Sequence, residues 1–383
     1  MPQYSYIEKT LKGAACFSVI GEQSAQAQAA VLLMLGRQLR GDDAATEARA
    51  KKAAVGKKVS LTGLRRDADF PVPRLKPSAR RLPQATTAAN VRKRHGARAL
   101  DATSGAWRNA YHDSAERLFD KPSIDAAANL FEICLIHPMD LVCISAAAAY
   151  FPISAEPSRL IEVLATACKS RDPLERQVAA TALARIDPMH RALRALSRAL
   201  KPPRRKQRAH TAMVIHGTFA SDAPWWQPGG DFHTFIKGFR PDLYSRADRF
   251  QWTGGYSDGA RADGAATLRQ WVSDHSERGL DLIGHSHGAN VMLLATASGM
   301  KAGKLVLLSC PVHVDKYFPD FNNCTTVHSV RVKLDLVILA DRGGQKFEDP
   351  RIKENVLPIW FNHSATHDPA VWTKYSIPQK IKL

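Results

Sequence analysis

The chain has 383 residues, enough for two or three domains, and a formal net charge of +18. No uninterrupted apolar stretch reaches about eighteen residues, so a membrane-spanning helix is not expected. The six cysteines follow no CxxC spacing, which argues against a zinc site and against a disulfide scaffold. We therefore expect no metal and no cofactor. Because no secretory signal is evident, we also expect a reduced, cytoplasmic protein, with non-classical export left open.

The positive charge is concentrated towards the N-terminus. Residues 1–110 hold twenty Lys and Arg against eight Asp and Glu, hence 20 − 8 = +12. Prolines and alanines among the basic residues predict that residues 1–106 are largely disordered, with one helix at 23–39. Such a segment suits weak contact with an anionic membrane, or is a solvated tail without a partner. Nucleic acid is not expected, because no aromatic residues are interleaved with the charges.

Residues 107–200 are predicted to form a helical domain with an internal repeat of 35 residues. The segments 138–149 and 173–184 each begin with proline, place an acid two residues later, and continue through small residues. Asp172 is the predicted N-cap of the second copy. The pattern resembles a pair of HEAT-like helical hairpins, and the alternative is an unrelated four-helix packing. We expect a brace or cap for the following domain; the alternative is a partner-binding surface.

A basic linker is predicted at 201–208, where two prolines break any helix. The domain at 209–383 then alternates about six short apolar runs with helical segments. That alternation predicts an α/β domain, a doubly wound parallel sheet with helices on both faces. The apolar runs lie at 213–216, 249–252, 280–283, 305–308, 327–332 and 356–360.

A G-x-S-x-G pentapeptide, residues 284–288, stands between one of these runs and a helical stretch. This is the pattern of a nucleophile elbow, in which a sharp turn lifts a serine hydroxyl above the sheet. Glycines are needed at both ends because a side chain there would crowd the turn. Ser286 is therefore the predicted nucleophile. His285 and His287 flank the serine, but the turn sends them to different sides, so no metal site is expected.

Residues 211–372 resemble bacterial α/β-hydrolases of the lipase/esterase type. The resemblance covers a little under half of the chain. The matching stretches are His216-Gly217-Thr218-Phe219 with Trp225-Trp226, then 250–257, Ala260-Arg261 and 284–290. It implies a minimal form of that fold, because the first two strands of the family have no evident counterpart. Phe219, Trp225 and Trp226 are candidates to line an acyl pocket, or else pack in the core.

In that family the loop after the first apolar run supplies an oxyanion amide, and the residue after the serine supplies another. The resemblance therefore implies that the second amide is that of His287. The first belongs to the loop that begins at Gly217, and comes from Thr218 or from Phe219.

The resemblance further implies a catalytic acid and a histidine, in that order, after the serine. Asp335 follows the run at 327–332, where the family carries its acid, and Asp341 is the alternative. His363 follows the last run and is favoured by its spacing to Pro369, with His367 as the alternative. His313 and His328 are predicted to be structural or surface residues.

The expected function is that of a serine hydrolase, which cleaves carboxylic esters through an acyl-enzyme on Ser286. Two alternatives stay open. One is a phospholipase at anionic membranes, including a secreted effector; the other is a catalytically inert scaffold or binding protein. The expected partner is a small-molecule or lipid ester, and the sequence does not predict an oligomeric state.

Overall fold

The computed structural model describes residues 22–39, 110–111, 113–115, 117–118, 123–196, 212–245, 249–275 and 279–383. The chain divides into two compact units, Met1–Leu183 and Ala184–Leu383. We call them the helical unit and the sheet unit. The predicted linker at 201–208 lies outside the described residues, as does most of the predicted disordered segment. The expected membrane contact of that segment therefore rests on sequence alone.

Short helices build the described part of the helical unit. The two segments predicted as helical copies, 138–149 and 173–184, are helical over most of their length. Asp172 caps the second one as expected, because its Oδ1 accepts from Leu174 N at 2.7 Å and Glu175 N at 3.0 Å. The elements are α1 (Glu22–Leu39), α2 (Ile124–Cys134), α3 (Asp140–Tyr150), a 3-10 turn (Phe151–Ile153), α4 (Pro157–Ala167) and α5 (Pro173–Ile186), which ends in the sheet unit.

The helix predicted at 23–39 is formed as α1, but it is part of a packed core. Its side chains from Ala25 to Leu35 are nearly all buried, and it packs against α3. A methyl group added to Gly36 would lie 2.7 Å from the Ala149 Cα, so the two helices approach closely. The predicted helix within 1–106 is therefore present, and its apolar face is covered by α3.

Five parallel strands form the sheet of the sheet unit, in the order β1-β2-β3-β4-β5. The first four are buried along almost their whole length, as expected of strands covered on both faces, and the fourth carries the buried polar residues His328, Ser329 and Arg331. The strands are β1 (Ala212–Ile215), β2 (Asp281–His285), β3 (Lys304–Leu308), β4 (Thr326–Val332) and β5 (Ile352–Leu357).

The predicted strand at 249–252 is not formed, so the described sheet has five strands where about six were expected. Phe250 and Trp252 are buried there as loop residues. The indole Nε1 of Trp252 donates to the His216 carbonyl at 2.8 Å, and its ring lies beside Gly264. The apolar run thus reflects burial without strand pairing. Because no strand forms at 249–252, the five described strands lie in the sheet in the order of the sequence. A doubly wound sheet reverses its strand order at one point, and the described strands show no such reversal, so that part of the prediction was wrong.

The last strand begins earlier than predicted, at Ile352 where the apolar run began at Val356. It lies at the edge of the sheet and pairs with β4 on one side. Polar residues are tolerated on such a strand, and Glu354 forms an ion pair with Arg331 of β4. The predicted run at 356–360 therefore shares only its first two residues with the strand, which ends at Leu357.

Helices of the sheet unit cover the strands. Helix α9 packs on β2 and β3 and against α8, and the core contains the fully buried Trp226 and Trp372. None of the helices in the described part of the chain combines the length and apolar character that a membrane crossing requires. The helices are α6 (Arg191–Arg194), α7 (Asp231–Phe239), α8 (Asp258–His275), α9 (His287–Ala297), α10 (Leu336–Asp341), α11 (Pro369–Lys374) and α12 (Ile377–Lys380), with 3-10 turns at Pro224–Trp226 and His363–His367.

Candidate active site

The predicted site residues follow the carboxyl ends of neighbouring parallel strands. Gly217 comes just after β1, Ser286 directly after β2, Asp335 after β4 and His363 after β5. In a parallel sheet these ends meet along one edge, where ligands of open α/β sheets bind. The sheet topology therefore brings together residues that are far apart in the sequence.

Ser286 sits on a strained turn between β2 and α9. Its φ of 53° and ψ of −131° are outside the regions that side chains favour, a cost of about 1–3 kcal/mol. The backbone is held there because Ser286 N donates to the Leu308 carbonyl at 2.8 Å. A methyl group on Gly284 would collide with Met292 and Ala289, and one on Gly288 with the His216 carbonyl. The two glycines are required by close packing on either side of the serine.

Asp335 is fixed by backbone amides at the start of α10. Its Oδ1 accepts from Val337 N at 2.9 Å and from Ile338 N at 3.2 Å, as an N-cap does. Its own amide and carbonyl bond to the side chain of Gln345. The second carboxylate oxygen is therefore left to face the loop after β5.

His363 takes that second oxygen. Its Nδ1 lies 2.7 Å from Asp335 Oδ2, and both side chains are buried. Asn362 caps the 3-10 turn on which the histidine stands, by accepting from Ser364 N and Ala365 N. With Nδ1–H donated to the carboxylate, Nε2 is the basic nitrogen, and none of the described residues hydrogen-bonds to it. The acid–histidine pair that the sequence favoured is formed.

The imidazole of His363 adjoins the turn that carries Ser286. Its ring centroid lies 4.6 Å from that of His285, the residue before Ser286, and His285 Nε2 is 3.3 Å from the His363 carbonyl. No hydrogen bond joins Ser286 Oγ to His363 Nε2 among the described residues. Catalytic hydrogen bonds of this kind commonly close only when substrate is bound.

The loop after β1 packs directly against the serine. A methyl group on Gly217 would lie 2.8 Å from Ser286 Cβ, so the loop can approach only with glycine there. The amide of Phe219 donates to the Gly254 carbonyl at 3.0 Å and is therefore engaged. Of the two predicted loop amides, Thr218 is the one without an acceptor among the described residues. The same holds for the amide of His287 at the start of α9, where the helix dipole favours negative charge.

Among the described residues, no carboxylate pairs with His367. Its ring stacks on Trp225 with centroids 4.2 Å apart, and it also lies 4.7 Å from the ring of His285. Burial lowers the pKa of His367 to about 4 and holds the pKa of His285 well below its ordinary value. Both imidazoles are therefore neutral at pH 7, and neither opposes a positive charge on His363. Of the two tryptophans predicted either to line an acyl pocket or to pack in the core, Trp226 is fully buried in the core.

Asp341 belongs to a different cluster. Its Oδ1 is 3.1 Å from His287 Nε2 and accepts from the Tyr256 hydroxyl, and its Oδ2 is 2.6 Å from His313 Nε2. Burial alone would raise the pKa of Asp341, but the two histidines outweigh it and hold that pKa well below the ordinary range. Burial lowers the pKa of His287 to about 4. Asn290 Nδ2 occupies the other nitrogen of His287 at 2.9 Å.

The sequence did not predict the partners Tyr256, Asn290 and Gln345. No spacing or periodicity connects Tyr256 with Asp341 or Gln345 with Asp335. Asn290 binds His287, three residues before it on α9, and the Pro311 carbonyl. Among the described residues, no group of three or more His, Cys, Asp or Glu side chains could hold a metal ion.

No family model matches the chain, and no curated protein matches it significantly. A solved structure of an uncharacterized protein from Bacillus cereus ATCC 10987 is similar over 71% of this chain and 97% of that chain. The identity is 13% and the TM-score 0.27, so this similarity carries no argument about fold or function. Any assignment of function therefore rests on the geometry of the chain's own residues.

Proposed function

We propose that the chain is a serine hydrolase of the α/β-hydrolase type, which cleaves carboxylic esters through an acyl-enzyme on Ser286. The single observation that carries the proposal is the His363–Asp335 pair, 2.7 Å apart, beside the strained serine turn. The unused Nε2 of His363 is what a serine nucleophile needs, because a hydroxyl at its ordinary pKa is a poor nucleophile without a base.

In the first step, the Ser286 hydroxyl attacks the ester carbonyl while His363 Nε2 takes its proton. Asp335 holds the Nδ1–H tautomer and stabilises the imidazolium that forms. The imidazolium then gives its proton to the departing alcohol, and an acyl-enzyme remains. A water molecule repeats the sequence, with His363 as base again, and releases the carboxylic acid.

Two backbone amides would stabilise the negative oxygen of the tetrahedral intermediate. Those of Thr218 and His287 are suited to this role, since the residues flank Ser286 on two sides and their amides have no acceptor among the described residues. Amides fixed in this way are worth about a hundred- to a thousandfold in turnover each. The hydrogen bond from Phe219 N to the Gly254 carbonyl holds the first loop in place.

An apolar surface beside the histidines suits the acyl group of an ester. Trp225 is half-buried, contacts the rings of His285 and His367, and packs edge-on against Phe232. A hydrocarbon chain would remove this surface from water, at about 25 cal/mol per Å² of apolar area. The aromatic contacts therefore support an ester with an apolar acyl chain.

Labelling by a fluorophosphonate probe tests the proposal. The probe should label the wild-type protein and Ser298→Ala, which removes an exposed serine at the end of α9. It should not label Ser286→Ala, and that variant should lose about a millionfold in ester turnover. Labelling of Ser286→Ala at the wild-type level would contradict the assignment. A wild-type protein that takes no label would favour the inert scaffold.

A substrate panel addresses the phospholipase alternative, which uses the same chemistry on a different leaving group. Short-chain esters, triacylglycerol and anionic phospholipid should be offered to the full chain under equal conditions. We expect turnover of the short-chain esters.

A further inference from the structure

A cavity of about 270 Å³ lies within the sheet unit, and its lining does not include Ser286, His363 or Asp335. It is formed between the end of α5, the start of α8 and the loop after β3, with Asp341 in its wall. Most of its lining side chains are polar or charged. The lining residues are Ala184, Arg185, Pro188, Tyr256, Ser257, Asp258, Arg261, His313, Lys316, Tyr317 and Asp341.

Arg261 is the fixed feature of this cavity. It is 5% exposed, and its guanidinium lies between two rings, 5.2 Å from the Tyr256 centroid and 5.4 Å from the Tyr317 centroid. Its Nε donates to the Tyr317 hydroxyl at 2.8 Å and its Nη2 to Asp258 Oδ1 at 2.7 Å. Its Nη1 is buried and has no acceptor among the described residues. A buried charged donor without an acceptor is costly, so a ligand that accepts there is strongly favoured.

Two further cations face the same space. Arg185 Nη1 donates a hydrogen bond to the Asp341 carbonyl at 2.7 Å. Its Nε is buried and has no acceptor in the described part of the chain. The ammonium of Lys316 stands at the rim, 2.5 Å from Asp258 Oδ2, with a side chain that is 54% exposed. The cavity thus offers cationic donors at its wall and at its mouth.

Both carboxylates of the lining are already saturated. Asp258 accepts from Arg261, Lys316 and Tyr317, and Asp341 accepts from Tyr256 and binds His287 and His313. Three cations against two anions leave a formal charge of +1, with donors in excess. The cavity therefore has N–H groups without acceptors, Arg261 Nη1 and Arg185 Nε, and these favour a ligand with negatively charged acceptor atoms.

We propose that this cavity is a binding site for an oxyanion, a phosphate or carboxylate group, held by Arg261 with Arg185 and Lys316. The Nη1 group of Arg261 is left to donate to an oxygen of such a group, because Nε and Nη2 are already used within the protein. The volume has room for a phosphate ion with a few water molecules, each of which occupies about 30 Å³ in the liquid.

Isothermal titration of the full chain with inorganic phosphate, and separately with acetate, tests the proposal. Ionic strength is kept constant with chloride, because surface charges alone give salt-dependent binding. We expect a dissociation constant of about 1 mM for phosphate. Arg261→Gln should weaken binding about tenfold or more, since a charge-assisted hydrogen bond is lost. Arg269→Gln, an exposed arginine on the same helix, should bind as the wild type does.

Because Arg261 also holds Asp258 and Tyr317, its loss could disturb the fold, so Lys316→Gln is measured in parallel. Lys316 is at the rim, and we expect several-fold weaker phosphate binding at an unchanged melting temperature. No phosphate binding by the wild type would overturn the proposal. So would equal affinity in wild type, Arg261→Gln and Lys316→Gln, or an equal loss in Arg269→Gln.

A second measurement identifies the source of the oxyanion, and this one rests on the proposed hydrolase activity. If the group is part of the substrate, added phosphate raises KM for an ester that carries a phosphate and leaves KM for a neutral ester of equal acyl length unchanged. If the group is a free ion, phosphate affects both esters alike or neither. The titration itself is independent of hydrolysis, since inorganic phosphate is not an ester.

Discussion

Two buried aspartates of the sheet unit each bind a histidine, and only one of the pairs suits catalysis. His363 Nδ1 is 2.7 Å from Asp335, and His287 Nε2 is 3.1 Å from Asp341. The pairs are equivalent in burial, since all four side chains are at most 3% exposed. They differ in what the remaining atoms of each pair do.

In the first pair one imidazole nitrogen is unused, and in the second both are occupied. Asp335 gives one oxygen to backbone amides and one to His363, whose Nε2 has no partner among the described residues. His287 has Asn290 on Nδ1 and Asp341 on Nε2, so it has no nitrogen left for a hydroxyl proton. The acid–histidine contact is therefore not diagnostic of a catalytic pair. The two pairs are separated by the imidazole nitrogen that is unused in His363 and occupied in His287.

The largest effect is expected from removing the proposed base. His363→Ala should lower turnover of a soluble ester by about five to six orders of magnitude, as loss of the base does in serine hydrolases. His367→Ala should cost about tenfold at most, because His367 packs on Trp225 and only shapes the loop. Steady-state kinetics of the two variants check this. A dead His367→Ala beside an active His363→Ala would reverse the assignment.

An intermediate effect, on stability, is expected from Asn290→Ala. The amide of Asn290 binds His287 and the Pro311 carbonyl in the core, and its loss leaves buried polar groups without partners. We expect about 1–3 kcal/mol lower free energy of unfolding. Turnover should stay within about tenfold of wild type, because the amide bonds to no proposed triad residue.

Denaturant unfolding measures the free energy of unfolding of Asn290→Ala, with Asn355→Ala as the control variant. Asn355 is half-buried on the edge strand β5 and should change stability by a few tenths of a kcal/mol. An Asn290→Ala variant as stable as the control would show that the second pair does not depend on its amide partner.

A smaller effect is expected from pH. Burial lowers the pKa of His287 and of His216 to about 4, whereas an unfolded chain would show about 6.5. Above pH 6.5 these histidines are mostly neutral in both the folded and the unfolded state, so their burial does not make the free energy of unfolding depend on pH there. Between pH 6.5 and about 4 the unfolded state binds protons that the native state does not, so stability falls.

Thermal melts from pH 7.5 to pH 4.5 should therefore show a melting temperature that decreases through this window. His287→Gln should give a shallower decrease than wild type, since one such group is removed. A melting temperature that is constant or rises as the pH falls would contradict a neutral His287.

Much of the sheet unit could be predicted, because buried parallel strands are continuous apolar runs and the elbow has a local sequence pattern. The same rule failed at Phe250 and Trp252, whose burial comes from packing in a loop. It also failed at the start of β5, where an edge strand carries Lys353 and Glu354. Hydrophobicity reports burial, and burial does not distinguish a strand from a packed loop.

The choice between Asp335 and Asp341 could be weighed from the sequence but not decided on contacts. Both follow apolar runs, and both are buried beside a histidine. What separates them is the identity of distant partners: Tyr256, His287 and His313 for Asp341, and Gln345 and His363 for Asp335. These contacts depend on tertiary structure, which no local spacing encodes.

The most direct test of this difference is to measure turnover and melting temperature for Asp335→Asn and Asp341→Asn side by side. Asp335→Asn should lose about ten-thousandfold in kcat, because the histidine loses its tautomer and charge stabilisation, and should keep its melting temperature nearly unchanged. Asp341→Asn should keep kcat within about tenfold and melt several degrees lower, because His287, His313 and Tyr256 lose their shared acceptor. The opposite pattern, with Asp341→Asn inactive and Asp335→Asn active, would contradict the central claim that His363 and Asp335 serve Ser286.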